Sequence, residues 1–393
     1  MLKTTNRKIY CINNNQNCNT CVTDYARWSG VEYTELSSID EYPNNEHSIL
    51  MCSTHGKHDT RLDYGFPAFK PNSKDDLIKF ISKYKGKKIV VCDDTGWGKT
   101  KIIGDITFLA SEFSHSDIDE LYIHKTKKFN YKFFEYTFLH LVNEKWGTHI
   151  EQLYKSTIPE WGGVFVRHKH FMTMNRYGKS HRLFLYYNLY KDNLLDKGYC
   201  SFLENKNYMD KISRLYKIDK SEIEVLNDAM NKLPITLDGD INSYRLSVQC
   251  PLTPNLALFF NSYFSVITES EYGDVSFHFS EKMGKPLISF HPFIVFANPF
   301  YLQVLRDYGF KTFHKVESPD SSVLIDESYD MQNDNLKRFE MVYEQVKKMC
   351  SFSIDELHKW YYSPKISDIL IHNFNQMKTI SDTNLNYLKG VLL

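Results

Sequence analysis

The chain has 393 residues, more than one hydrophobic core usually serves, and its 42% hydrophobic and 24% charged residues are those of a globular protein of two domains. Lys+Arg and Asp+Glu each number 48, which excludes a global basic field drawing the chain to nucleic acid; a local basic cleft would not register in that sum. There is no run of about 18 apolar residues and no apolar core behind MLKTTNRKIYCINNN, so neither membrane insertion nor a signal peptide is expected, and the protein reads as soluble and cytoplasmic.

Residues 1–60 alternate short apolar runs, KIYCI and SILMCS, with polar loops rich in Asn and Ser. The cysteines are Cys11, Cys18, Cys21, Cys52, Cys92, Cys200, Cys250 and Cys350, read as reduced thiols in a long chain without a secretion signal. Cys18 and Cys21 form one C-x-x-C, flanked by Cys11, Cys52, His47, His55 and His58. A structural zinc site needs four converging ligands, and the second close pair is missing, so no metal is expected there.

Residues 74–85, KDDLIKFISKYK with Ser73 before them, have the pattern of an amphipathic helix: a capping serine, acids in the first turn and an apolar face of Leu77, Ile78, Phe80 and Ile81. KKIVVCDD then reads as a buried parallel strand ending in Asp93 and Asp94, and 130–143 as a helix. Pro159 and Gly162-Gly163 punctuate a boundary at residues 158–166. Beyond it the pattern restarts: HFMTMN as a strand, HRLFLYYNLYKDNLL as a helix capped by Ser180, YCSFL as a strand, and helices near 206–217 and 220–232. NSYFSVITE and PFIVFAN are two more strands; a helix at 299–308, a Gly-Phe turn and a helical tail from about 333 to 376 follow. Strand and helix in alternation imply parallel sheets with helices on their faces. The expected division is 1–163, 164–350 and a C-terminal helical segment 351–393.

Three places concentrate chemistry. At the junction HFMTMNRYGKSHRLF a strand ends in Asn175-Arg176-Tyr177-Gly178 and a helix opens at His181-Arg182; helix N-termini with planar guanidinium donors suit a phosphate. Ser280-Glu281-Lys282 stands at a second helix start, where a carboxylate can accept from ribose hydroxyls and an ammonium can meet a diphosphate. The strand NSYFSVITES ends in Thr268-Glu269, aimed at the same crevice. The later IDESYD, with Asp326, Glu327 and Asp330, reads as structure and not chemistry.

Two competing motifs are incomplete. DDTGWGKT ends in Gly98-Lys99-Thr100 after a strand, but a P-loop needs glycine where Asp93 stands, leaving a phosphate-cradling nest unfinished. Asp238-Gly239-Asp240 follows LPITL and not an isolated strand end; Asp-Gly is commoner as a turn than as a metal pair.

Together, the junction at 170–182, LLDKGYCSF, NSYFSVITES and SEKMGKPLISFHPFIVFANPFYLQVLRDYGFKTF with IDESYD resemble the C-terminal half of glycosyltransferases with two Rossmann-like domains (the B-type fold), of a kind common in bacteriophages and giant viruses. The resemblance covers about half of the chain; Met283-Gly284 departs from the pair that usually follows the Glu-Lys. It implies an α/β protein of two Rossmann-like domains facing a cleft, the first binding acceptor and the second binding a nucleotide-sugar donor. It also implies metal-independent, inverting sugar transfer to a glycan or to a hydroxymethylated base of viral DNA, with no cofactor beyond the sugar nucleotide. Glu281 and Lys282 would hold ribose and phosphate, and Asn175, Arg176 and Arg182 the diphosphate, with His181, Thr268, Glu269 and Ser280 around them. Inverting transfer needs a general base for the acceptor proton; Asp94, beside a repelling Asp93, is the expected one, with His55 and Asp59 behind it.

Overall fold

The computed structural model describes residues 8–12, 22–54, 74–92, 101–110, 142–143, 152, 166–175, 178–203, 212, 216–237, 256–270, 272–273, 280–321 and 325–392. The chain divides into two compact units, Met1–Asn143 with Val275–His278 and Lys378–Leu393, and Glu144–Asp274 with Phe279–Met377. The segment expected as a separate tail from residue 351 is therefore shared: 351–377 belongs to the second unit, and the rest to the first.

The first unit is built on the strands β1 (Lys8–Ile12), β2 (Tyr33–Leu36), β3 (Ser48–Thr54), β4 (Lys87–Cys92), β5 (Lys101–Ile103) and β6 (Ile106–Ala110), in the order β2-β1-β3-β4-β6-β5. All pairs are parallel except β5 with β6. Runs such as KIYCI, SILM and KKIVV bury successive residues, Ile9, Cys11, Ile12, Ile49, Leu50, Met51, Cys52, Ile89 and Val90, because a parallel sheet is covered on both faces. The helices α1 (Val22–Trp28) and α2 (Lys74–Ile81) belong to this layer, and Ile81 closes a core with Leu36, Leu50, Val90 and Ile106. The turn into β4 needs Gly86: its φ is +79°, and a Cβ there would stand 2.2 Å from the Ser48 carbonyl oxygen. Lys88 is buried, its ammonium bonding the Tyr84 carbonyl at 2.7 Å and the Asp105 carboxylate.

Residues 101–103, just past Gly98-Lys99-Thr100, form an antiparallel edge strand, whereas a P-loop runs into a helix N-terminus. The loop itself lies outside the described residues. So do Asp93, Asp94, His55, His58, Asp59, Cys18, Cys21, Cys250, Asp238-Gly239-Asp240, most of the expected helices at 130–143 and 206–217, and the boundary punctuation at Pro159 and Gly162-Gly163.

The second unit carries the strands β7 (Lys169–Asn175), β8 (Gly198–Phe202), β9 (Ser262–Thr268) and β10 (Phe293–Phe296), all parallel in the order β10-β9-β7-β8. Every residue of β9 is buried, as befits a central strand. The chain winds outward one way from β7 to β8 and the other way from β9 to β10, so the order reverses between β7 and β9. Their carboxyl ends, Asn175 and Thr268, flank this switch point, where open parallel sheets bind ligands.

Helices α3 (Ser180–Lys191), α4 (Ile223–Asn231), α5 (Leu256–Phe260), α6 (Glu281–Ile288) and α7 (Tyr301–Asp307) accompany these strands. The expected cap of α3 is displaced by one residue: Lys179 is the N-cap, with no side-chain cap bond, and Ser180 is already helical. α7 ends in a Schellman turn, Gly309 at φ +83° with its N–H on the Arg306 carbonyl (2.8 Å) and the Phe310 N–H on that of Leu305 (3.2 Å). The Asp330 carboxylate, in IDESYD, caps the start of α7 by accepting from the Leu302 and Gln303 N–H groups, each at 2.8 Å.

The tail helices are α8 (Asn335–Ser351), α9 (Ile354–Tyr361) and α10 (Pro364–Leu392). Asp334 caps α8 through the Leu336 and Lys337 N–H groups, and a Ser353–Glu356 capping box opens α9. α8 lays Phe339 against Phe184 (4.5 Å between centroids) and Phe296 (4.8 Å), covering one face of the second sheet.

The amino-terminal edge of that sheet holds a buried polar network. Arg167 donates to the Phe259 and Ser262 carbonyls at 2.6 and 3.1 Å, under the Tyr361 ring at 4.1 Å. His291 donates Nε2–H to the Ser262 carbonyl (2.7 Å) and accepts at Nδ1 from the Ser265 hydroxyl (2.8 Å). Burial, then the Arg167 charge, push its pKa down to about 3.

Two outcomes follow from these contacts. Gly309→Ala forces a Cβ into the left-handed region, 2.7 Å from the Gln376 side-chain nitrogen. Urea denaturation is expected to show a loss of about 1–2 kcal/mol; an unchanged midpoint would refute the turn's role. Below pH 6.5 the unfolded chain takes up a proton at His291 that the folded chain refuses until about pH 3. Stability is therefore present above pH 6.5 and falls as pH drops through that window, by about 1.4 kcal/mol per pH unit for this one group. His291→Gln should flatten the stability–pH slope between pH 6 and 4 by that amount, and an unchanged slope would count against it.

Candidate functional site

The switch point of the second sheet gathers most of the residues singled out by sequence. Asn175 closes β7, Thr268 closes β9, and the two side chains join across the sheet, Thr268 Oγ1 donating to Asn175 Oδ1 while Asn175 Nδ2 donates to Thr173 Oγ1 at 3.2 Å. All three are buried. Their polar atoms hold one another, which fixes the floor of the crevice and leaves Asn175 only part of its hydrogen-bonding capacity for a ligand.

α3 and α6 both begin at this edge. His181, buried, donates Nε2–H to the Glu269 carbonyl at 3.0 Å, and its ring stacks on Tyr272 at 5.0 Å. Burial and the neighbouring Arg182 charge push its pKa well below the usual range, so the imidazole is neutral. Arg182 is 2% exposed and donates Nη2–H to the Thr268 and Glu269 carbonyls at 3.3 and 3.1 Å. The sequence reading placed Arg182 on a diphosphate with His181 beside it; the structure turns both side chains inward onto the Thr268 and Glu269 carbonyls at the end of β9. The reason is that a strand's terminal carbonyls have no further ladder partner, and buried donors must satisfy them. Arg176 lies outside the described residues.

Glu269 is 2% exposed and accepts from four donors: Ser280 Oγ (2.5 Å), Ser280 N (3.4 Å), Ser270 N (3.2 Å) and Tyr301 Oη (2.6 Å). It therefore ties the end of β9 to the first residues of α6 and α7. Ser280 is the N-cap of α6, its hydroxyl also accepting from the Lys282 N–H at 3.2 Å.

Glu281 and Lys282 are the partly exposed members of the group, their side chains 27% and 22% accessible. They pair at 2.7 Å, and Lys282 also reaches the Ser270 hydroxyl at 3.4 Å. Partial burial would raise the Glu281 carboxyl, but the Lys282 and Lys285 charges outweigh it and hold the pKa at about 2. Lys179 reaches the Ser270 carbonyl from the start of α3. Two helix N-termini, with Lys179 and Lys282, thus meet at one short stretch, Glu269-Ser270, and the Lys285 charge acts on the adjacent Glu281. Such an edge can hold the phosphates of a nucleotide, with Glu281 available to hydroxyl donors.

Sequence reasoning missed Lys179, Ser270, Tyr272 and Tyr301. Lys179 sits one residue before the expected cap and could have been found by shifting the helix start; nothing in sequence points to Tyr301. Among the described residues no group of His, Cys, Asp and Glu is arranged to hold a metal ion, and no helix is long and apolar enough to cross a membrane. Of the cysteines, Cys11, Cys52, Cys200 and Cys350 are buried, and Cys52, Cys200 and Cys350 are free thiols.

Searches of family models, curated proteins and solved structures return no match to this chain.

The electrostatic account of Glu281 can be tested directly. Lys282→Gln should raise the Glu281 pKa from about 2 by about 1–3, the usual effect of removing an adjacent opposite charge. Carbon-detected NMR titration of the carboxyl reads it, and an unmoved pKa would show that Lys282 is not the controlling charge.

Proposed function

We propose that this chain is a metal-independent glycosyltransferase of two Rossmann-like domains. It moves a sugar, with inversion, from a nucleotide-sugar donor held by the second unit to an acceptor glycan or to a hydroxymethylated base of viral DNA. The observation that carries this reading is the Ser280-Glu281-Lys282 turn at the switch point of a parallel four-stranded sheet, a carboxylate and an ammonium side by side at a helix start. Glu281 is suited to ribose hydroxyls, and Lys282, with Lys179 and the two helix N-termini, to the diphosphate, whose charge in other folds is met by a metal. The inward-facing His181 and Arg182 then act by shaping and charging the floor. Asp94 is the proposed general base.

The test is a thermal-shift screen against UDP, GDP, CMP and dTDP sugars with and without chelator. A ligand that binds only the folded chain raises the melting temperature by mass action. The expected result is a shift with one nucleotide, unaffected by chelator. Glu281→Ala should then weaken donor binding and abolish turnover, while Asp94→Ala should abolish turnover and spare binding. Binding and no turnover in the unaltered chain would mark a sugar-nucleotide-binding module; no shift with any of the four, alongside one with ATP and magnesium, would overturn the reading.

A further inference from the structure

We infer that Glu269 is a positioning residue: it does not touch the ligand, but its buried carboxylate sets the pose of the Ser280-Glu281-Lys282 turn. This rests on reading the switch point as the ligand site. Sequence alone put Glu269 among the ligand contacts, as an acid at the end of an apolar strand. Its surroundings say otherwise. It is 2% exposed, and all four groups that reach its oxygens are donors supplied by the protein, two hydroxyls and two backbone N–H groups. An ionised carboxylate offers about four lone-pair sites, so little capacity is left for a ligand.

The same four donors explain what the residue does. Ser280 presents both its N–H and its hydroxyl to Glu269 while its carbonyl accepts from Met283 N (3.1 Å) and Gly284 N (3.2 Å), the first turn of α6. Tyr301, the first residue of α7, closes the other side at 2.6 Å. One buried acid thus fixes where two helices begin relative to the end of β9. Glu281 and Lys282 are the next residues after Ser280, so their height above the crevice follows from it. Hydrogen bonds to a charged acceptor are short and directional, which suits a group that must hold backbone to a fraction of an ångström.

Glu269→Gln turns one acceptor oxygen into an N–H donor facing donors, and Ser280→Ala removes the bond from the other side. In Glu269→Gln, hydrogen exchange at the Met283 and Gly284 amides should speed up about ten-fold or more, while the β7 amides keep their protection. Affinity for whichever of UDP, GDP, CMP and dTDP the unaltered chain binds, measured by calorimetry, should fall by about ten-fold. Ser280→Ala should reproduce both effects, and Ser280→Thr, which retains the hydroxyl, should restore them. Lost affinity with unchanged exchange at 283–284 would mean that Glu269 contacts the ligand, and the inference would fall. It would fall equally if exchange rose throughout the sheet, or if neither quantity moved. Should the unaltered chain bind none of the four nucleotides, the proposed function fails, and the exchange pattern alone decides the role of Glu269.

Discussion

A buried charge in a parallel sheet has to be surrounded by donors, and in the second unit that requirement organises the carboxyl edge of the sheet. Glu269 has no described basic side chain on its carboxylate; its charge is met by hydroxyls and N–H groups at the end of β9 and at the starts of α6 and α7. Desolvating a carboxylate costs several kcal/mol unless such donors are already in place. The end of β9, the start of α6 and the start of α7 are therefore mutually constrained. The same logic recurs one layer out, where Asp330 caps α7 from a distant loop and Arg338 donates to the Ala297 carbonyl at 3.0 Å.

The two edges of the second sheet use polar burial differently. At the amino edge, Arg167, His291, Ser262 and Ser265 bond one another and the backbone, and the imidazole is kept neutral by burial and by Arg167. At the carboxyl edge, the buried layer of Asn175, Thr268, His181, Arg182 and Glu269 lies beneath partly exposed groups, Glu281 and Lys282. A fixed floor with a charged, accessible rim is what electrostatic preorganisation requires, because donors that are already oriented need not reorganise when a charged ligand arrives.

The carboxyl edge also accounts for the low pKa of Glu281. A carboxylate that accepts hydrogen bonds from hydroxyl donors does so best when ionised, and Lys282 and Lys285 keep Glu281 so against the opposing effect of burial. Phosphate charge arriving beside Lys282 would compete for the same ammonium. The Glu281–Lys282 pair at 2.7 Å is thus a ground-state contact that a ligand would have to share.

Several of these features were legible in the sequence. The apolar runs KIYCI, SILMCS, KKIVVC, HFMTMN, YCSF, SYFSVIT and FIVF are strands because β-branched and aromatic residues buried on both faces fit a parallel sheet. The helix start at Ser280-Glu281 was readable from the sequence, and the structure shows Ser280 to be its cap, its hydroxyl acting on a residue only two positions away. Asp330 was readable as structural, though not the helix that it caps. What sequence could not determine were the partners that folding brings from far along the chain. Arg182 donates to carbonyls 86 and 87 residues away, and Tyr301 reaches Glu269 across 32. Whether a polar side chain at a strand end faces ligand or backbone depends on which carbonyls the sheet leaves without a partner. Strand order decides that, and local pattern does not carry it. The sequence by itself determined the elements and the chemistry near the second sheet; only the tertiary structure decided which of those side chains form the floor and which stand at its rim.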